Sequence, residues 1–392
     1  MSVDVFFADY WTRRSLYESR SALRGQHLLG SADVEFLAAS LIAPQPGWMS
    51  LIRDGEDLNL AAVRAPNGHI SVKKLRAARE SGYTLLLTSL HRRWPAISVF
   101  CRHLEGELIQ RGIALSHPVV ANAYATPKAA RGFKPHYDSH EIIIFQLEGY
   151  KRWRLFAPVV ASPLVAEPVS IDNIGSPTAQ FSMSPGDVLY IPRGVPHDAS
   201  TNEGASLHLT LAIHVHTWLD LALAVMRRMP LFREALQPAI QTSDDAGFSL
   251  SDAFRRRLAH MDISEKTVAS VAHQFMETFM LGIEGALQVP CSDAASELPL
   301  SVDTRVVWER GSFLYFVSHR NDVFLYFPGG KFTGSLTDRD ALQYIERHQS
   351  FRVGDLPDLT DERKVEIVTA LVGCRSLAVD RTSFAPDQSR AD

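Results

Sequence analysis

Apolar and polar positions change period several times along the chain. Up to about residue 115, apolar residues recur at three- and four-residue spacing over 34–42 and 96–111 (WPAISVFCRHLEGELIQR), as in amphipathic helices. A short β-like run, YTLLLTS at 83–89, lies between them. From about 119 to 215 the period shortens to two. EIIIFQL, KRWRLF, DVLYIP and SLHLTLAIHV are short, rich in β-branched and aromatic residues, and separated by LEGY, SPGD, PRGVPH and TNEG. Many short strands punctuated by turn residues predict a β-sandwich or barrel. At residue 218 the helical period returns, in TWLDLALAVMRRMPLFREAL and KTVASVAHQFMETFMLGIEGAL. The last segment, about 300–392, combines strand-like VVWERGSFLYFVS and DVFLYFPGGKF with two helix candidates. These are TDRDALQYIERHQ, with Thr337 as N-cap, and LTDERKVEIVTALVG, with Thr360 as N-cap and Gly373 as stop. The overall class expected is α+β.

Composition adds limits rather than identity. The chain has 392 residues, 46% hydrophobic and 21% charged, which suits a globular protein of two or three units. A net charge of −4 supplies no global attraction to nucleic acid or anionic membrane. Only Cys101, Cys291 and Cys374 occur, far apart and outside any zinc spacing, so reduced thiols and a reducing compartment are expected. The first residues, MSVDVFFADYWTRRSLYESR, lack a secretory pattern, and no apolar run reaches the roughly 18 residues a membrane helix needs. The expected location is the cytoplasm.

Candidate chemistry concentrates in two segments. In GFKPHYDSHEIIIFQLEGYKRWRLF, His136 and Asp138 stand two apart at the start of a strand, where an extended backbone points both to one face. About 60 residues on, GDVLYIPRGVPH ends a strand and presents His197. Two histidines and one carboxylate form the set that holds Fe(II) on one octahedral face and leaves three positions open. The triplet alone is a weak signal; its combination with the second segment is specific. A second triplet, His260 and Asp262 in FRRRLAHMDIS, falls in a helical pattern, where positions two apart do not share a face. His140 reads as a polar neighbour of the site rather than a fourth ligand.

In the returning strand KRWRLF, alternation places Lys151 with Trp153 and Leu155, and Arg152 and Arg154 opposite. A cation on an apolar face requires a buried anion such as a carboxylate of 2-oxoglutarate, unless its head snorkels to water.

The runs NAYATP, GFKPHYD, FQLEGYKRWRLF and GDVLYIPRGVPH together resemble the JmjC-type cupin oxygenases, in particular their ribosomal oxygenase branch. The resemblance covers most of the chain and extends to the opening FFADYW. It implies a double-stranded β-helix catalytic domain at 1–216, a helical dimerisation domain at 217–300 and a winged-helix-like domain at 301–392. It further implies Fe(II) on His136, Asp138 and His197, Lys151 against the far carboxylate of 2-oxoglutarate, and O₂ as second co-substrate. Asn122 and Tyr124 are placed near the co-substrate, with Ser206, His208 and Thr210 on a neighbouring strand. The chain departs from the branch at Arg131, where glutamine is common, and at His140 and Glu141; Arg131 and His140 are therefore candidate substrate-facing residues.

The function expected is a 2-oxoglutarate-dependent dioxygenase hydroxylating a protein or peptide side chain, such as that of a ribosomal protein. Alternatives are hydroxylation of a small molecule or natural-product peptide, and a non-catalytic cupin binding protein. A homodimer is expected through the apolar helix near 275–287. Direct nucleic-acid binding is not, because residues 301–392 hold 12 Lys and Arg against 14 Asp and Glu.

Overall fold

A computed structural model describes residues 2–19, 28–40, 47–160, 162–228, 264–283, 300–319 and 321–380. The second triplet, His260 and Asp262, and parts of the 217–300 helical segment lie outside the described residues.

The strand-rich stretch forms two facing antiparallel sheets together with four strands from the first 90 residues, a part whose periodicity suggested mostly helix. The larger has eight strands in the order Leu16–Glu18, Val188–Ile191, Glu141–Gly149, Ser206–Ile213, Val120–Thr126, Thr84–Leu87, Met49–Arg53 and Glu56–Asp57. The smaller has five: Ala179–Met183, Lys151–Leu155, His197–Ser200, His136–Tyr137 and Glu167–Pro168. Successive strands often change sheet, so the chain winds around a closed core, as in a double-stranded β-helix. The LEGY turn makes one such change. Gly149 has φ +63°, and a Cβ there would lie 1.9 Å from the Ala205 carbonyl oxygen, so only glycine fits.

Alternation decides which side chains enter the space between the sheets. Along Glu141–Gly149, Ile142 and Ile144 face inward, and Phe145 packs outward, edge-on to Phe100. Helix Pro95–Gln110 covers that outer face, with Pro95 in its first turn and Ile97, Cys101, Leu108 and Ile109 buried. One buried ion pair joins this packing: Arg102 Nη2 lies 2.8 Å from Glu105 Oε1, which also accepts from the Val119 N–H at 2.7 Å.

Helices Trp218–Arg228 and Glu265–Gly282 follow, meeting through Val225 and Val271. The C-terminal unit has two three-stranded sheets with helices Arg339–Arg347 and Asp361–Gly373 around its own core. It shares packing with the main core as well. Phe313 sits where a Cβ on Gly106 would come within 2.8 Å, and Phe279, Met280 and Tyr326 join the main core.

One of two capping expectations changes. Thr360 caps its helix as expected, accepting from the Arg363 N–H. Thr337 does not cap the preceding one. A turn of 3-10 helix, Leu336–Asp338, comes first, and Ser335 forms its capping box with Asp338. Ser and Asp three apart out-compete the threonine between them.

Candidate functional site

His136, Asp138 and His197 come together at the inner face of the smaller sheet, each offering one ligand atom within 4.8 Å of the others. Strand pairing explains part of this: His136 and His197 are direct cross-strand partners, with ring centroids 4.6 Å apart. The strand carrying His136 is shorter than alternation suggests. It ends at Tyr137, so Asp138 projects from the turn that follows. There its carbonyl accepts the Gly194 N–H at 2.9 Å, and its Oδ2 lies 3.7 Å from His197 Nε2. Gly194 has φ +81°, and a Cβ there would meet the Val160 oxygen at 2.3 Å; the glycine of IPRGVPH thus sets the turn before His197.

Both imidazoles are oriented from behind. His136 Nδ1 faces the Lys134 carbonyl at 2.9 Å and His197 Nδ1 the Val195 carbonyl at 3.1 Å. A carbonyl can only accept, so it selects the Nδ1–H tautomer and leaves each Nε2 lone pair for a cation. Burial and the nearby His136 push the His197 pKa down to about 4, which keeps that ring neutral as a ligand must be.

The site opens into a cavity of about 250 Å³ whose walls include Asn122, Tyr124, His140, Lys151, Trp153, His208 and Thr210. Register organises its polar wall. Strands Val120–Thr126 and Ser206–Ile213 pair so that Thr126 opposes Ser206, Tyr124 opposes His208 and Asn122 opposes Thr210. The Tyr124 and His208 rings stack with centroids 4.7 Å apart and planes nearly parallel. Ser206, at the end of this ladder, accepts from Gln146 Nε2 at 2.8 Å and does not line the cavity.

Lys151 is 4% exposed, so its head group does not reach water. Its Nζ donates to Thr126 Oγ1 at 2.8 Å, and burial lowers its pKa to about 7. Among the described residues no acidic side chain pairs with it, which leaves a buried cation-former facing the cavity with capacity for an anion. Two histidines and one carboxylate with free Nε2 positions, next to this amine, fit Fe(II) and a dicarboxylate co-substrate together.

The candidate substrate residues separate. His140 lines the cavity and stacks on His214, ring centroids 4.4 Å apart, with burial lowering its pKa. Arg131 does not line this cavity. Its guanidinium pairs with Asp54 at 3.1 Å, and backbone bonds from Asp54 and Gly55 to residues 131 and 132 hold the same segment. Glu141 is fully buried and faces the outer side, where Tyr190 donates to it. Thr126 was missed by sequence reasoning, although it continues the alternation of Asn122 and Tyr124. His214 carries no such signal, because its contact with His140 joins distant segments.

A JmjC-domain family profile matches residues 102–221. Ribosomal oxygenase 2 of Bos taurus is 30% identical over 253 residues, covering 64% of this chain and 50% of that protein. Ribosomal oxygenase 1 of Homo sapiens is 43% identical over 112 residues, covering 27% of this chain and 18% of that protein. The chain thus spans half or less of the length of these curated relatives. Among solved structures, the Escherichia coli ribosomal oxygenase YcfD aligns over 97% of this chain and 98% of its own, with TM-score 0.55 and 17% identity, a likeness of fold. A further structure of that protein is a complex with cobalt and 2-oxoglutarate, aligned at TM-score 0.53 and 16% identity.

Proposed function

We propose, from the premise that residues 102–221 are a JmjC domain, that the chain is an Fe(II)- and 2-oxoglutarate-dependent oxygenase hydroxylating a protein side chain. The observation that carries this reading is the convergence of His136, Asp138 and His197 beside the buried, anion-free Lys151. The relatives named as ribosomal oxygenases favour a ribosomal protein as substrate.

In this reading His136, Asp138 and His197 hold the iron, and Lys151 receives the far carboxylate of 2-oxoglutarate. Bound iron, with 2-oxoglutarate and O₂, supplies the oxidation that turns a substrate C–H into an alcohol while succinate and CO₂ form. The chain positions and excludes water. Carbonyls of Lys134 and Val195 hold the two imidazoles, Thr126 orients the lysine amine, and Ile142, Ile144 and Trp153 keep the cavity walls apolar. Asn122, Tyr124, His208 and Thr210 form the polar wall toward the co-substrate, and His140 the wall toward the substrate. Arg131 acts further out, at the edge where a bound protein would pass.

The test is a +16 mass shift on ribosomal proteins incubated with the chain, Fe(II), 2-oxoglutarate and O₂, alongside succinate release. His136→Ala and Asp138→Ala should lose both signals. Full activity in either variant refutes the ligand assignment. Hydroxylation confined to small molecules refutes the substrate class.

We further propose a division into a catalytic domain at 1–216, a helical domain at 217–300 that forms a homodimer, and a winged-helix-like domain at 301–392. Exposed Trp218, Leu219 and Leu223 on helix Trp218–Arg228 support a partner on that side. Light scattering that gives a monomer mass at micromolar concentration would overturn the dimer. No helix among the described residues is long and apolar enough to cross a membrane, and the cytoplasm is the proposed location.

A further inference from the structure

Glu141 opens the central strand Glu141–Gly149 yet has no exposed surface, and its neighbours on that outer face are apolar. A carboxylate so placed is costly unless held by donors. The Tyr190 hydroxyl donates to Oε2 at 2.5 Å, and the Arg193 guanidinium pairs with Oε1 at 3.6 Å, too long for a hydrogen bond, so Oε1 has no hydrogen-bond partner. Burial raises the pKa of this carboxyl, opposed by the Tyr190 bond and by Arg193.

The placement of these groups matters more than their number. Glu141 follows Asp138 by three residues, and Arg193 precedes His197 by four, within the turn whose Gly194 N–H bonds the Asp138 carbonyl. Tyr190 lies in strand Val188–Ile191, which leads into that turn and pairs with Glu141–Gly149. One buried carboxylate therefore ties the segment bearing the acidic ligand to the segment bearing the second histidine. Outside this contact, Tyr190 OH accepts the Thr12 N–H at 2.8 Å, and Phe6 and Trp11 pack on its ring. On the other side, Thr217 donates to the Asp220 carboxyl at the first turn of helix Trp218–Arg228 and holds it ionised against burial, with a smaller pull from Arg193.

We propose that Glu141, clamped by Arg193 and Tyr190, is a positioning residue that fixes the separation of Asp138 and His197 from behind the metal centre. A buried ion pair replaced by apolar groups of similar size is often neutral or stabilising to a fold, so stability alone does not explain this one. Its effect is on geometry: without the clamp the 192–196 turn loses its side-chain tie to the start of the strand and keeps only backbone ties such as the Gly194–Asp138 bond, and the ligand set loosens. This rests on the metal reading of His136, Asp138 and His197.

The experiment is Co(II) titration of the full chain, followed by the visible spectrum and by calorimetry, with no co-substrate and no turnover. Glu141→Gln and Arg193→Gln should each weaken Co(II) about tenfold or more and alter the spectrum, as loss of an outer partner of a metal ligand does. Combined, they should cost little beyond either alone. Tyr190→Phe, which removes one donor only, should fall between these and the wild type. A through-space charge effect predicts the opposite sign for Arg193→Gln, so tighter Co(II) binding in that variant overturns the proposal. So do wild-type affinity and spectrum in Glu141→Gln, or loss of affinity only in step with loss of far-UV circular dichroism. His197→Ala serves as the separate control: if it binds Co(II) like the wild type, the metal reading itself fails.

Discussion

Replacing Lys151 with methionine should make the empty protein more stable while removing its hold on the co-substrate. The amine is 4% exposed, and burial brings its pKa from 10.5 to about 7. A shift of that size corresponds to roughly 5 kcal/mol disfavouring the folded protein at pH 7, as an upper bound. Methionine fills nearly the same volume without charge. It forfeits the bond to Thr126, worth about 1 kcal/mol, although Thr126 keeps Thr84 as a partner. A net gain of at most roughly 4 kcal/mol is expected at pH 7. The sign follows from linkage: the folded pKa lies below the unfolded one, so the penalty is full below about pH 7 and fades as pH rises to 10.5. The variant's advantage should shrink over the same interval. Urea denaturation at pH 7 and near pH 10, with chelator present, reads this directly. Calorimetry with Co(II) and 2-oxoglutarate reads the other half, where affinity should drop at least a hundredfold, about 3 kcal/mol, for a buried charge partner removed. A methionine variant less stable than wild type at pH 7, or one binding 2-oxoglutarate normally, refutes the reasoning.

If Lys151 receives the co-substrate carboxylate as proposed, the carboxylate selects the protonated amine, and 2-oxoglutarate affinity should fall toward tenfold per pH unit above about 7 in the wild type and stay flat in Lys151→Met, by calorimetry with Co(II). Arg102→Met strands the buried Glu105 carboxyl, whose pKa burial already raises to about 7, and should cost about 3–5 kcal/mol by urea denaturation. A cost under about 1 kcal/mol would show that the pair is not a buried unit. Gly106→Ala forces a methyl to 2.8 Å from the Phe313 Cβ and should lower stability by about 1–3 kcal/mol. Limited proteolysis should then cleave near residue 300 faster than in wild type; unchanged cleavage would show that this joint does not hold the C-terminal unit.

What could be read in the chain was whatever local periodicity encodes. Two-residue alternation placed Lys151 inward with Trp153 and sent Arg152 outward, and burial along Lys151–Leu155 follows that pattern. Asn122 and Tyr124 came from the family resemblance, and Thr126 continues their alternation on the same strand face. The IPRGVPH and HYD segments meet because two short strands pair at His136 and His197, a contact their spacing suggested but could not measure. What stayed hidden depends on contacts between remote segments. Arg131 turns away to Asp54, His140 finds His214, and Glu141 is buried because Tyr190 and Arg193 arrive from about fifty residues downstream. Thr337 yields its cap for a local reason, because Ser335 and Asp338, three apart, form the capping box around it.

The paired rows Thr126–Ser206, Tyr124–His208 and Asn122–Thr210 restrict how the chain can change length. Side chains alternate with period two, so one residue inserted within either strand would turn the polar row outward and drive the aliphatic row into the cavity. The loops at 157–159 and 202–204 lie outside this constraint, and length variation can be absorbed there without reversing a face. Descendants of this gene, natural or engineered, should accept insertions at those loops and reject single-residue ones within 120–126 and 206–213. A scan of random insertions scored for folding would draw the outline of the cavity wall with no structure determined at all.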